Sequence, residues 1–260
     1  MARGVSENST KTDGNVASVH VALNILELFA GAKEELGITQ VAQQLGLAKA
    51  SIYRHFATLV DRGYLARNAR TARYHLASGF YQLGRTAPAK FDLVAAAKDV
   101  MRELASEIGH NIVVSELSPK GICVLSTIQG DRNPIDIVVR PGTYLSLHNS
   151  AQGKVALAFG PSSFHEQLTI KDLPRSTDRT ITSHRALERE IETVKRRGWA
   201  LSDGEAWIGV KAIAVPILHT EGGLAGALAV VGHSKLLTQR QMHESIRALR
   251  GGALEIKGRL

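Results

Sequence analysis

The stretch LGLAKASIYRHFATLVDRGYL, residues 45–65, contains a short amphipathic helix whose outer face is not that of an ordinary surface helix. The spacing predicts a helix from about Lys49 to Arg62, closed by Gly63. On a helical wheel Ile52, Phe56, Leu59 and Val60 fall within about 100° of one another and mark the buried side. The opposite side carries Arg54, flanked by Ala50, Ser51, Ala57, Thr58 and Asp61, with Tyr53 at one edge. Solvated helix faces are often laced with Glu–Lys pairs; this one offers small residues around one long guanidinium. Small residues let a helix approach another surface closely, and the major groove of DNA admits an α-helix. Arg54 can then bond bidentately to guanine or phosphate, and the hydroxyls of Ser51 and Tyr53 suit phosphate oxygens.

The flanking residues extend this picture. Upstream, SVHVALNILELFAG places Val19, Ala22, Ile25, Leu26 and Phe29 on one face at helical spacing, and Gly31 can end that helix. Thr39 is expected to N-cap the short helix QVAQQLG, with Val41, Ala42 and Leu45 inward and its glutamines outward. Gly46 permits a sharp turn into the helix at 49–62, which completes helix–turn–helix geometry with the second helix reading the groove. Free N–H groups at the start of the first helix, around Thr39 and Gln40, are a natural phosphate contact.

Downstream, GYLARNARTARYHL changes period. Two short runs, Tyr64–Arg67 and Arg73–Leu76, flank a polar tip at Asn68–Ala72 and read as a β-hairpin. Arg67, Arg70 and Arg73 make that hairpin a basic wing. From Lys49 to Arg85, seven basic residues stand against the single acid Asp61. The expected DNA contacts are therefore Thr39, Gln40, Lys49, Ala50, Ser51, Tyr53, Arg54, Thr58, Arg67, Arg70 and Arg73. A small helical bundle with a solvated basic face is the plainer alternative. The concentration of charge and the position of the basic hairpin favour double-stranded DNA.

At 260 residues the chain can form two modest domains or one large one. Its formal charge of +8 favours a polyanionic partner without identifying one. Cys123 is the only cysteine, so no internal disulfide can form. The polar N-terminal tail, residues 1–16, has no apolar segment of the signal-peptide kind and is expected to be disordered. No apolar run approaches the roughly 20 residues that span a bilayer. A cytoplasmic protein with no membrane partner is the expectation.

After ASGFYQLGRTAPAK, where Pro88 suggests a joint, FDLVAAAKDVMRELASEIG reads as a strong helix with Leu93, Ala97, Val100, Met101, Leu104 and Ile108 in its apolar stripe. Mixed α and β patterns follow. NIVVSEL, ICVLSTI and IDIVVR read as strands, SAQGKVALAF as a helix capped by Ser150, and HRALEREIETVKRRG as a solvent-facing helix with a Glu192–Arg196 pair. VKAIAVPIL and LAGALAVVG read as strands joined by HTEGG, before a last helix from about Thr238.

Other chemistries find little support. Cys123 lies in an apolar run, where a thiol behaves as a small hydrophobe. No catalytic residue is assigned. Gly153-Lys154 resembles the end of a phosphate-binding loop, but His148 stands where the first glycine is needed and Val155 replaces the hydroxyl residue. The histidines show no metal-ligand spacing, and neither metal nor cofactor is expected. Enzyme action on a small acid, with the N-terminal module serving only protein interaction, is the alternative reading.

SVHVALNILELFAG, GITQVAQQLGLAKASIYRHFATLVDRGYL and RYHL together resemble the winged helix–turn–helix of the IclR family of bacterial transcription regulators. LSLHNSAQGKVALA and RRGWALSDGEAWIGVKAIAVPI resemble two further segments of that family, so the likeness covers about residues 18–235 in order. It implies an α+β chain: a winged helix–turn–helix domain at 17–78, a helical linker at 79–91 and a GAF-like effector-binding domain at 92–260. It implies an effector site built from Leu145, Asn149, Ser150, Ala151, Gln152, Asp203, Ala212, Ala229 and Val231, with Glu205 nearby. Members that bind very small keto-acids tend to carry Cys or Ser where Ala212, Ala229 and Val231 stand, so a larger organic or aromatic acid, or a derivative, is expected here. Repression of a catabolic operon through a palindromic operator, by a homodimer or a dimer of dimers, is the function the resemblance implies.

Overall fold

The computed structural model describes residues 16–32, 34–86, 93–118, 121–131, 139–164, 166 and 172–260. The expected N-terminal tail up to residue 15, residues 87–91 of the linker expected at 79–91 and most of the IDIVVR strand lie outside the described residues. The chain divides into two compact units, separated between residues 88 and 89.

The first unit comprises helices α1 (Ala17–Gly31), α2 (Ile38–Leu45) and α3 (Lys49–Asp61), the hairpin of β1 (Leu65–Arg67) and β2 (Tyr74–Leu76), and helix α4 (Gly79–Thr86). Ile25 and Phe29 of α1, Val41 and Ala42 of α2, and Ile52, Phe56 and Leu59 of α3 form its core with Leu65 and Tyr74. Phe56 sits at the centre, 5.7 Å from Phe29 and edge-on to Tyr74 at 4.7 Å between ring centroids. Leu36 adds a bridge to Tyr74, so the wing is tied to the segment that precedes α2.

Three expectations for this unit are corrected. Thr39 does not cap α2: the helix begins at Ile38, Gly37 holds the cap position in extended backbone, and no side chain closes it. The Leu36–Tyr74 bridge fixes where the chain leaves its extended path, and that sets the helix start two residues early. Val60 is exposed rather than buried, since it lies at the edge of the apolar arc where the core ends. Val19 is exposed as well, because the core covers only the C-terminal half of α1.

The second unit is built on a six-stranded antiparallel sheet of order β5-β4-β3-β8-β7-β6. Its strands are β3 (Asn111–Ser118), β4 (Gly121–Ile128), β5 (Tyr144–Leu145), β6 (Ala200–Asp203), β7 (Val210–Leu218) and β8 (Leu224–His233). Helices α5 (Leu93–Ile108) and α8 (Gln239–Lys257) cover one face. Helices α6 (Ala151–Phe159) and α7 (His184–Arg197) cover the other. Alternation along β3 explains the two layers: Ile112 and Val114 pack toward α5 and α8, while Val113 packs toward α6. Turn chemistry joins β7 to β8, with Gly222 and Gly223 both at positive φ. Thr238 caps α8 through a capping box with Gln241.

Helix α7 is less exposed than expected, with Leu187, Ile191 and Val194 buried in the core it shares with α6. Its charge pairs also differ: Glu192 bonds Lys195 at 3.1 Å instead of Arg196. Arg197 instead bonds Glu190 at 2.8 Å and stacks 3.9 Å above the Trp199 ring. Among the described residues no helix is long and apolar enough to cross a membrane.

Candidate functional site

Two features of the structure can carry function, one in each unit. In the first unit, α2 ends at Gly46, whose left-handed backbone (φ 66°) redirects the chain into α3. The outer face of α3 is bare: Lys49, Ala50, Tyr53, Arg54 and Thr58 are exposed, Ser51 is half-buried, and Tyr53 keeps 60% of its surface. The Thr58 hydroxyl donates to the Arg54 carbonyl at 3.0 Å, which commits its proton within the helix. Thr39 and Gln40 are exposed in the first turn of α2, where the backbone N–H groups have no intrahelical acceptor. Arg67, Arg70 and Arg73 are exposed on the wing, so the structure keeps the expected contacts on α2, α3 and the hairpin accessible.

Glu35 is not legible as a functional residue in sequence. Its two carboxylate oxygens accept from Asn68 Nδ2 and Thr71 Oγ1, each at 2.7 Å, and its carbonyl accepts from Arg73 Nη1 at 2.9 Å. The Asn68 bond, followed by the Thr71 bond, holds the Glu35 carboxyl below the usual glutamate range. Arg73 thus spends part of its guanidinium within the protein.

In the second unit a small cavity of about 40 Å³ lies beside the N-terminus of α6. Leu145, Ser150, Ala151, Gln152, Ala212 and Val231, six of the residues expected at the effector site, line it. Val139, Ser202, Ala206, Trp207 and Val210 complete the wall and are not singled out by the sequence. Ser150 caps α6: its Oγ accepts from the Gly153 N–H at 2.9 Å and donates to the Ser146 carbonyl at 2.6 Å. Ser202 donates to the Asn149 carbonyl at 2.7 Å. Both serine protons are therefore committed, whereas the Gln152 carboxamide, on a residue only 2% exposed, makes no hydrogen bond to a described residue.

The other four expected residues stand outside the cavity wall. Asn149 donates to Ser176 Oγ at 2.9 Å. Asp203 accepts from Ser234 at 2.7 Å and faces Lys211 at 3.4 Å and Arg179 at 3.6 Å. Ala229 is buried in the core. Glu205 bonds the ammonium of Lys154 at 2.6 Å. Lys154 is itself 1% exposed and also donates to the Leu201 carbonyl at 2.9 Å, tying α6 to the β6–β7 loop. Burial pushes the Glu205 carboxyl above its usual range while Lys154 pulls it back. His148 is buried nearby, and burial pushes its ring below the usual histidine value. Its Nε2 lies 3.0 Å from the Pro174 carbonyl, which can only accept, so Nε2 carries the proton and Nδ1 faces Ser146 at 2.9 Å. Among the described residues no group of three His, Cys, Asp or Glu side chains is placed to hold a metal.

The family profile described as IclR helix-turn-helix domain matches residues 18–69, and that described as bacterial transcriptional regulator IclR C-terminal matches residues 86–257. The chain belongs to the IclR family. It is a DNA-binding transcriptional regulator with an N-terminal helix–turn–helix and a C-terminal effector-binding domain. The HTH-type transcriptional regulator KdgR of Escherichia coli strain K12 is 28% identical over 251 residues, 96% of this chain and 95% of that protein. The structure of an IclR transcriptional regulator from Silicibacter sp. TM1040 superposes with a TM-score of 0.84 at 28% identity, covering 93% of this chain and 95% of the other. An IclR homolog from Microbacterium hydrocarbonoxydans, solved in complex with 4-hydroxybenzoate, shares the fold with a TM-score of 0.81 at 22% identity, covering 93% and 98%.

The IclR segment around Gly153-Lys154 has a physical explanation. A Cβ on Gly153 would lie 2.2 Å from the Ser146 carbonyl oxygen and 2.6 Å from the Leu147 Cα, so only glycine lets α6 pack on the preceding loop. The adjacent lysine serves the buried pair with Glu205 and not a phosphate.

Proposed function

We propose that this IclR-family regulator represses a catabolic operon by binding a palindromic operator as a homodimer, or a dimer of dimers, under the control of a small organic acid. The observation that carries the DNA half is the exposed, small-residue face of α3 around Arg54, beside a wing bearing Arg67 and Arg70. Arg54 reads bases in the major groove, Ser51 and Tyr53 contact phosphate, and the wing lies along the adjacent backbone. A single winged module buries limited surface, and high specificity normally needs two on a symmetric site.

Dimerisation is supported by the apolar residues that the first unit leaves uncovered. Val19 and Leu23 on α1 and Leu83 on α4 are each at least half exposed. A second copy would cover them.

For the effector, the N-terminus of α6 offers backbone N–H groups to a carboxylate, and the Gln152 carboxamide in the cavity wall suits a further polar group. The remaining wall is mostly apolar. An aromatic acid such as 4-hydroxybenzoate is larger than the 40 Å³ cavity, so on this reading it displaces part of the wall, with Trp207, 55% exposed, the freest large side chain to yield. Effector control then reflects a difference in affinity between the DNA-competent and DNA-incompetent arrangements. The protein acts in the cytoplasm, where the operator is.

Fluorescence anisotropy against the DNA upstream of its own gene, with scrambled competitor and a salt series, tests the DNA half. Arg54→Ala is expected to remove the preference for specific over scrambled DNA with an unchanged circular dichroism spectrum. Undiminished preference would falsify the assignment of α3 as the reading helix.

A further inference from the structure

We propose that Glu35 is the positioning residue that holds the wing at the angle from which it meets DNA. The proposal rests on the reading that the wing contacts DNA, and the experiment below separates the two.

The wing is short. Each of its strands has three residues, and its tip is closed by bonds centred on Asn68. Asn68 Oδ1 accepts from the Arg70 N–H at 2.9 Å and the Thr71 N–H at 3.3 Å, while its carbonyl accepts from the Ala72 N–H at 2.9 Å. Ala72 stands at a φ of 57°, so the tip holds a conformation that an L-residue resists. These bonds organise the tip internally, but none of them orients it relative to α2 and α3.

The Leu36–Tyr74 backbone bridge ties the base of the wing to the segment before α2, and Glu35 extends that tie to the tip. Glu35 precedes α2, the helix that leads into the reading helix, and four wing residues converge on it. Asn68 and Thr71 each occupy one carboxylate oxygen, His75 Nδ1 lies 3.6 Å from Oε1, and Arg73 is bound by the Glu35 carbonyl. The partners lie more than thirty residues ahead in sequence, and they flank Arg70 on both sides. Fixing Asn68 and Thr71 therefore fixes the backbone from which the Arg70 guanidinium reaches outward.

The sign of the effect distinguishes this role from simple charge. An acid beside a DNA-facing surface repels phosphate, so on electrostatics alone its removal should tighten binding. A positioning role requires the opposite for a substitution that breaks the bonds. It requires little loss for one that removes the charge and keeps the bonds. Gln is such a substitution: its carbonyl oxygen accepts from Asn68, and its amide can donate to a Thr71 hydroxyl that has turned round.

The test measures affinity against salt for Glu35→Ala, Glu35→Gln, Arg67→Ala/Arg70→Ala and the triple variant Glu35→Ala/Arg67→Ala/Arg70→Ala. The probe is a duplex recovered from a randomised library by the wild-type protein, and circular dichroism melting checks that each variant folds. Glu35→Ala is expected to weaken binding about tenfold and to lower the log–log salt slope by about one to two, at about 0.9 for each phosphate that is no longer neutralised. Glu35→Gln should bind within about threefold of wild type. In the Arg67→Ala/Arg70→Ala background, Glu35→Ala should have little further effect, because the guanidinium groups it positions are already absent. A loss of affinity from Glu35→Ala without a change of slope, or equal in both backgrounds, overturns the positioning role, as does binding that stays equal or tightens. A slope unchanged in Arg67→Ala/Arg70→Ala overturns the wing reading itself, and recovery of no duplex overturns both.

Discussion

The buried pair of Lys154 and Glu205 makes a quantitative prediction. Lys154→Met keeps the volume of the side chain but removes the cation that faces Glu205 at 2.6 Å and donates to the Leu201 carbonyl. Glu205 Oε2 is already buried with no hydrogen-bond partner among the described residues, so the carboxylate would be left with its desolvation uncompensated. Breaking one side of a buried pair in this way destabilises by about 3–5 kcal/mol near neutral pH. The effect also has a defined pH dependence. Burial raises the Glu205 carboxyl above its ordinary value of 4.5, and Lys154 is the main opposing influence, so the substitution raises it further. A raised carboxyl contributes stability that is complete below the unfolded value and is lost as pH climbs through the folded one. The deficit of Lys154→Met should therefore grow as pH rises past the wild-type Glu205 value, itself above 4.5, and shrink in acid. Lys154→Met/Glu205→Gln should recover most of it at neutral pH, since no charge is then buried. Urea unfolding followed by tryptophan fluorescence is a suitable assay because the chain has two tryptophans, Trp199 and Trp207, both in the second unit. A deficit under about 1 kcal/mol, or one of equal size at about pH 5 and about pH 8, would refute the reasoning.

Three further outcomes are expected. Ala72→Gly should stabilise the first unit by about 0.5–1 kcal/mol, because glycine tolerates the positive φ of 57° that alanine resists; calorimetry showing a lower Tm would contradict this. Gly153→Ala should destabilise the second unit by about 3 kcal/mol or more, since its Cβ would meet backbone atoms of Ser146 and Leu147 that cannot move aside independently, and denaturant midpoints would detect it. Leu23→Asp should leave the fold intact but weaken self-association at least a hundredfold in sedimentation, at about 1.5–3 kcal/mol for each of the two copies buried in a symmetric dimer; an unchanged association constant would remove α1 from the interface.

Local patterns carry most of the fold. The apolar arc of α3, the glycine at the α2–α3 turn, the change of period into the wing, the stripe of α5 and the HTEGG hairpin are each decided by residues close in sequence, and the structure has all of them. The errors arise where distant residues decide. The start of α2 is set by a bridge from Leu36 to Tyr74, and the exposure of Val19 by how far the core extends along α1. Strand β6, four residues long and paired to β7, has too little periodicity to be recognised alone. At the candidate sites, the face of α3 is legible because it contradicts the rule for a surface helix. Glu35 is not, because its partners lie on a hairpin far along the chain. Lys154 is visible only as an oddity, a lysine within the otherwise apolar SAQGKVALAF, and its partner Glu205 lies 51 residues away. Composition suggests an apolar pocket, but cavity volume depends on how side chains pack, and the residues alone do not encode it locally.

The order of strands in the sheet has a consequence for aggregation. Its longest strands, β7 and β8, and the fully buried part of β3 are interior, whereas among the described residues the margins are β5, with two residues, and β6, with four. An open sheet margin is a template for unwanted pairing with another chain, and short margins blunt it. Asp203, with Arg179 and Lys211 beside it, adds charge at the end of β6. Strand-to-strand addition between copies is disfavoured at these margins, which leaves the helical surfaces to govern how molecules of this protein stay apart or come together at high concentration.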